Sequence, residues 1–161
     1  MTHVKPVRAE NTEAMQIAGL REHYTSKTVN DIPALWQRLS PYFGRIPSQV
    51  GKITYGVVMN MHAGVDGFDY IAGVEVSGVE NLPEGFSHVT IPPLKFFVFI
   101  HDDNVSKLKD TMSEIWYKWL PDSGYEAASD AGAPCMIERY GEGFDPKTGM
   151  GDMEVWLAVE N

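Results

Sequence analysis

The order of the predicted secondary-structure elements repeats once along the chain, and this repetition constrains the fold more than any single motif does. In each half of the 161 residues, a strand-like segment precedes an amphipathic helix, and two further strand-like segments follow it. The halves are offset by roughly 80 residues and share few identities, so the repeat lies in the element order. We place its two copies at about residues 12–78 and 85–161 of a single domain.

The helix of the first half is predicted from apolar residues that recur at three- and four-residue steps. Asn30 or Asp31 provides a capping side chain, and Pro33 is tolerated in the first turn. Gly44 ends the pattern. The apolar face comprises Ile32, Leu35, Trp36, Leu39 and Phe43, and the strands of this half are predicted at residues 15–23, 53–59 and 68–76.

The helix of the second half has the same kind of pattern and its own boundary signals. Asp103 or Asn104 is the predicted cap, and Pro121 and Gly124 are predicted to stop the helix. The apolar face comprises Val105, Leu108, Met112, Ile115, Trp116 and Trp119, and the strands are predicted at residues 94–101, 135–140 and 152–159.

Two such units define an expected α+β architecture. Each strand–helix–strand–strand unit must bury one face of its strands, and the antiparallel strands of both units can join into one sheet. We expect the two main helices to lie together on one face of that sheet. A groove between the two halves is then a common location for a small-molecule site.

The charge and composition restrict the possible partners. The net charge of −9 and the pI of about 4.9 argue against direct nucleic-acid binding, which requires a basic surface. They are compatible with a cationic ligand, with a basic protein partner, or with solubility alone. Residues 1–5 lack an apolar signal core and no long apolar run occurs, so we expect a cytoplasmic protein without a membrane segment.

The reactive side chains indicate no cofactor. Cys135 is the single cysteine, which excludes a disulfide framework and a cysteine zinc cluster. The five histidines show no metal-ligand spacing, and no phosphate loop or dinucleotide motif is present. We therefore predict neither a metal nor a cofactor.

Two strand segments of the second half carry an acid beside an aromatic residue. With the two-residue period of a strand, Glu154 shares a face with Trp156, and Glu138 shares a face with Tyr140. A carboxylate beside a ring offers a charge and a π surface to an organic cation, although simple solvent exposure of these acids is the alternative. If the two strands are hairpin neighbours, we expect both acids on one wall of a pocket.

Several segments resemble the GyrI-like family, which includes the effector-binding domains of AraC-type and MerR-type regulators. Residues 119–126 (Trp-Leu-Pro-Asp-Ser-Gly-Tyr-Glu) are similar to the Trp-Leu-Pro-x-Ser-Gly-Tyr-Glu segment of that family. Further similar segments occur in the family's order at residues 32–36, 69–73, 137–140 and 154–157. The resemblance therefore covers nearly the whole chain.

The resemblance implies a ligand groove between the halves for hydrophobic, often cationic, compounds. Glu138 and Glu154 match the acids that contact drugs in members of the family. The pseudo-repeat places Tyr55 and Tyr70 roughly opposite them, while Trp36 and the other helical tryptophans are expected in the core. The predicted ligand-binding residues are Glu138, Glu154, Trp156, Tyr55, Tyr70 and Tyr140.

Three functions remain open at this point. The first is a stand-alone domain that binds small hydrophobic, often cationic, compounds, since no residues remain for a helix-turn-helix. The second is a hydrolase of reactive genotoxic compounds, in which a buried glutamate with a raised pKa activates water. The third is binding to DNA gyrase or to a separate regulator protein, for which the acidic surface offers complementarity.

Overall fold

The computed structural model describes residues 4–62, 64–129 and 133–160, and its described part contains one antiparallel sheet of eight strands. Residues 1–3, which belong to the N-terminal segment predicted to lack a signal peptide, lie outside the described residues. The strands are β1 (Arg8–Asn11), β2 (Met15–Tyr24), β3 (Gln49–Met59), β4 (Phe68–Val76), β5 (Ser87–Ile91), β6 (Lys95–His101), β7 (Met136–Tyr140) and β8 (Met153–Val159).

The strand order in the sheet confirms the duplicated unit. The order is β1-β6-β8-β7-β3-β4-β2-β5, with every pair antiparallel. Each unit contributes three adjacent strands in the same internal arrangement, in which the first strand pairs with the third and the third with the second. The two units meet where β3 pairs with β7. We call this central pairing the seam.

Two edge strands were not predicted from the sequence. β1 has only four residues, three of them polar, and β5 has only five. Strands of four or five residues offer too few positions for a two-residue period to stand out in the sequence. Their positions follow from pairing with β6 and β2 rather than from their own sequence.

The first helix, α1 (Ile32–Leu39), follows a 3₁₀ turn at Val29–Asp31 and continues into another at Ser40–Tyr42. It buries Leu35 and Leu39, as the apolar pattern predicted. The predicted side-chain cap is wrong, because Asp31 makes no capping hydrogen bond. The preceding 3₁₀ turn already holds Asp31 in a helical conformation, whereas a capping side chain requires an extended one.

The second helix consists of α2 (Leu108–Glu114), a π-helical turn (Ile115–Trp119) and α3 (Leu120–Ser123). The predicted cap is confirmed for Asn104, whose side chain accepts a hydrogen bond from the Ser106 amide. Gly124 ends the helix with a left-handed φ of 81°. Pro121 does not stop the helix, which continues through α3 directly after the π-helical turn.

Both helices pack on one face of the sheet, which we call the helix face, and the predicted α+β fold is confirmed. Leu35 and Leu39 belong to a core cluster with residues of β2, β3 and β4, and Leu108 and Ile115 belong to one with residues of β6, β7 and β8. A third cluster lies on the opposite face, which we call the second face. In the described part of the chain, no helix is long and apolar enough to cross a membrane.

Candidate functional site

The register between β7 and β8 separates the two predicted acids. Arg139 lies directly opposite Glu154, and Glu138 lies opposite Val155. Directly opposite residues share a face of the sheet, so Glu138 points to the helix face while Glu154 points to the second face. The predicted common wall is therefore wrong. The two strands are neighbours as expected, but their register places Arg139, and not Glu138, beside Glu154.

Glu138 is the centre of a buried hydrogen-bonded cluster on the helix face. Its Oε1 atom accepts one hydrogen bond from the Tyr70 hydroxyl and one from the Tyr140 hydroxyl, each at 2.7 Å. The Trp36 indole N–H donates to the Tyr70 oxygen at 3.0 Å. Glu138 is only 8% exposed. We call these four residues, drawn from α1, β4 and β7, the Glu138 cluster.

A glycine on the intervening strand makes this cluster possible. Gly56 lies on β3 between Ala72 of β4 and Glu138 of β7. A Cβ atom at position 56 would collide with the Tyr70 hydroxyl and lie 2.6 Å from Oε1 of Glu138. The missing side chain therefore leaves the space in which the Tyr70 hydroxyl reaches the carboxylate across β3. Sequence reasoning missed this residue, although a glycine inside a strand is a signal of close approach.

The electrostatics of the cluster favour a neutral or compensated acid. Burial raises the pKa of Glu138, although the hydrogen bonds from the two tyrosines act in the opposite direction. Burial and the nearby Glu138 charge raise the pKa of Tyr70 and of Tyr140 well above the usual value, so both hydroxyls remain donors at neutral pH. Within residues 4–62, 64–129 and 133–160, no basic side chain forms an ion pair with Glu138.

Glu154 has the opposite environment, because its carboxylate is already paired with cations of the chain. Arg8 donates to both carboxylate oxygens at 3.0 and 3.2 Å, and Arg139 donates at 3.4 Å. The Trp156 indole donates at 3.1 Å, and the Arg8 guanidinium lies over the Trp156 ring, 5.6 Å from its centroid. Partial burial acts against ionisation, but the donors and charges outweigh it, and the pKa of Glu154 is lowered.

Glu154 and Trp156 were predicted to offer a charge and a π surface to an organic cation. In the structure, the protein's own Arg8 makes both of these interactions. Tyr55 also lies on the second face, directly opposite Arg139. With Trp156 it lines a small pocket of about 100 Å³. The predicted residues therefore divide into two groups, and their ligand roles stay predictions. The groups are Glu138, Tyr70 and Tyr140 on the helix face, and Glu154, Trp156 and Tyr55 on the second face.

Other proteins share this fold. The structure of SAV2435 bound to tetraphenylphosphonium aligns with a TM-score of 0.74 and 17% identity, over 96% of this chain and 93% of that one. An integron cassette protein from the mobile metagenome of Vibrio cholerae aligns with a TM-score of 0.62 and 17% identity, over 98% and 97% of the two chains. At this level of identity, the likeness shows a shared fold.

The sequence comparisons give the family. The transcriptional regulator BrlR of Pseudomonas aeruginosa is 25% identical over 136 residues, which are 84% of this chain and 49% of BrlR. The chain therefore spans about half the length of that relative. Residues 8–159 match the family of integron-associated effector binding proteins, Cass2, and the chain belongs to this family. The GyrI-like resemblance found in the sequence is confirmed.

Proposed function

We propose that this protein binds small apolar cations between α1 and the α2–α3 helix, with the Glu138 carboxylate as the charged partner. Membership of an effector-binding family supports small-molecule binding. One observation carries the choice of ligand class: Glu138 is buried and hydrogen-bonded, and no basic side chain of the described residues pairs with it.

The physical argument rests on the cost of the buried charge. An ionised carboxylate removed from water is destabilising by several kcal/mol unless an opposite charge compensates it. An organic cation supplies that charge, and the rings of Trp36, Tyr70 and Tyr140 supply π faces and apolar area. The net charge of −9 favours the approach of cations over anions.

The solved relative adds support for the same ligand class. SAV2435, which has the same fold, was determined with tetraphenylphosphonium, a permanently charged cation surrounded by four phenyl rings. A cation of this type has the two properties that the Glu138 cluster complements, namely a positive charge without hydrogen-bond donors and a large aromatic surface. We therefore choose tetraphenylphosphonium as the probe.

Calorimetric titration of tetraphenylphosphonium into wild type and Glu138→Gln tests the proposal. Glutamine keeps the size and the acceptor oxygen but removes the charge, so we expect the dissociation constant to rise at least tenfold, equivalent to about 1.4 kcal/mol. Tetraphenylborate, an anion of the same shape, is the ligand control and is expected to show no measurable binding.

Glu154→Gln is the matched protein control. Because Glu154 is paired with Arg8 and Arg139 on the second face, we expect this variant to keep the wild-type affinity for tetraphenylphosphonium. Unchanged affinity in Glu138→Gln would refute the proposal. If the affinity fell in Glu154→Gln and stayed unchanged in Glu138→Gln, the cation would instead bind on the second face, near Trp156 and Tyr55.

Hydrolysis of a reactive electrophile is a second candidate function, favoured by the raised pKa of Glu138 beside two tyrosine hydroxyls. A carboxyl group with a raised pKa is suited to general acid–base catalysis. Incubation with a panel of strained electrophiles, followed by mass spectrometry, tests for turnover.

Binding to DNA gyrase or to a separate regulator stays a prediction, for which a pull-down at increasing salt is the test.

A further inference from the structure

The Glu138 cluster is closed in this structure, and one side chain closes it. The Trp36 indole donates to the Tyr70 hydroxyl, and its ring packs edge-to-face on Tyr140 with 5.3 Å between centroids. Trp36 thereby touches both tyrosines that hold the carboxylate. The aromatic ring of Trp36 occupies the position next to Tyr70 and Tyr140 that the aromatic surface of a cation would need.

Trp36 packs against the apolar cores of both halves on the helix face. Among the described residues, the half-buried side chains that contact both core clusters of the helix face are Trp36 and Met112. Its neighbours Leu35 and Leu39 are buried and fix α1 to the sheet. The helix can therefore stay in place while the Trp36 ring, which borders solvent, rotates about its own side-chain bonds.

We propose that Trp36 is a removable plug that occupies the ligand position in the closed state and must rotate outward before a cation reaches Glu138. This inference rests on the proposed function and names what controls access to that site. Among the described residues, one hydrogen bond, one ring pair and the apolar contacts of a half-buried ring hold the plug, and each is a modest interaction. The open state is accordingly a minor but accessible population, and the ligand binds only to that fraction.

The plug makes a specific kinetic prediction. If only the open fraction binds, the observed association rate constant equals the intrinsic rate constant multiplied by that fraction, and removal of the indole restores the intrinsic value. We expect Trp36→Ala to bind rhodamine 6G, a fluorescent apolar cation, with an association rate constant roughly tenfold or more above wild type. Trp36→Phe keeps a ring but lacks the N–H donor, and we expect an intermediate rate.

Stopped-flow fluorescence anisotropy with rhodamine 6G measures these rates directly. The association rate is the discriminating quantity, because an outward Trp36 ring can still contact the bound ligand and affect the affinity. Trp116→Ala is the matched control: it removes another half-buried helical tryptophan that packs in the second-half core only, and we expect its association rate within about twofold of wild type.

The outcomes separate the plug from the proposed function. Equal or slower association in Trp36→Ala, with binding intact, would overturn the plug and leave the cation site standing. Absence of rhodamine 6G binding in wild type and in Trp36→Ala would overturn both. Circular dichroism verifies the fold of each variant, and if Trp36→Ala does not fold, faster association in Trp36→Phe supports the plug while an unchanged rate overturns it.

Discussion

Replacing Glu138 by glutamine should stabilise the protein while it removes the charge that we propose as the partner of the ligand. When the pH lies above the raised pKa of Glu138, wild type holds an ionised carboxylate buried without a cation, a cost of several kcal/mol. The two tyrosine bonds to a charged acceptor offset part of it, and each loses roughly 1 kcal/mol when the acceptor becomes neutral. The remaining difference favours Glu138→Gln by about 1–3 kcal/mol in the free energy of unfolding.

The pH dependence of this gain follows from the raised pKa of Glu138. A carboxyl group whose pKa is higher in the folded than in the unfolded state is most favourable to folding below its unfolded pKa of about 4.5. As the pH rises towards the folded pKa, wild type loses about 1.4 kcal/mol per pH unit relative to the glutamine variant. The two proteins should therefore have similar stability at pH 4 and differ most at pH 8.

Urea denaturation followed by circular dichroism at pH 4, 6 and 8 measures the effect. Glu154→Gln provides a control of opposite sign, because the lowered pKa of Glu154 means that its charge stabilises the folded protein at pH 8. A Glu138→Gln variant that is less stable than wild type at pH 8 would refute the reasoning. So would a stability difference that does not change between pH 4 and pH 8.

Two further predictions concern residues around the site. Gly56→Ala should separate Tyr70 from Glu138 and cost about 1–3 kcal/mol of stability in the urea denaturation assay. Gly78→Ala is the control, because a Cβ atom there has only Ser48 Oγ nearby, at 3.8 Å, and its stability should be nearly unchanged. Asp69 has its pKa lowered to about 2, since hydrogen bonds from Asn60, His23 and Arg21 outweigh its burial. The ionised Asp69 contributes about 1 kcal/mol to stability after solvent screening, and this contribution is present above pH 4 and lost as the pH falls towards 2. Asp69→Asn should therefore lose less stability between pH 4 and pH 2 in thermal melts. An equal loss in both proteins would count against the prediction.

Strand alternation predicted the local faces of the site but could not predict how the strands pair. It correctly placed Glu138 with Tyr140 and Glu154 with Trp156. Whether Glu138 or Arg139 lies opposite Glu154 depends on the register, and a shift of one residue moves every side chain to the other face. The loop between β7 and β8 is too long for its sequence to fix that register through a tight turn.

The helical pattern shows a similar limit for Trp36. Its spacing placed the ring on the apolar face of α1, and the structure confirms core packing. The pattern carries no information about the indole N–H, whose acceptor Tyr70 is 34 residues away on another strand. Polar contacts between distant segments, including the one that crosses Gly56, follow from the assembled sheet and not from any local period.

At the seam, the duplicated fold has the acid Glu138 in one half and Gly56 at the equivalent place in the other, where exact symmetry would put two acids. Gly56 and Glu138 pair directly across β3 and β7, and their separation along the chain matches the repeat spacing of roughly 80 residues. They occupy equivalent places in the two halves. Two glutamates there would bring like charges together in the buried centre, which is strongly unfavourable. The glycine breaks the symmetry, so the proposed site predicts a stoichiometry of one cation per chain.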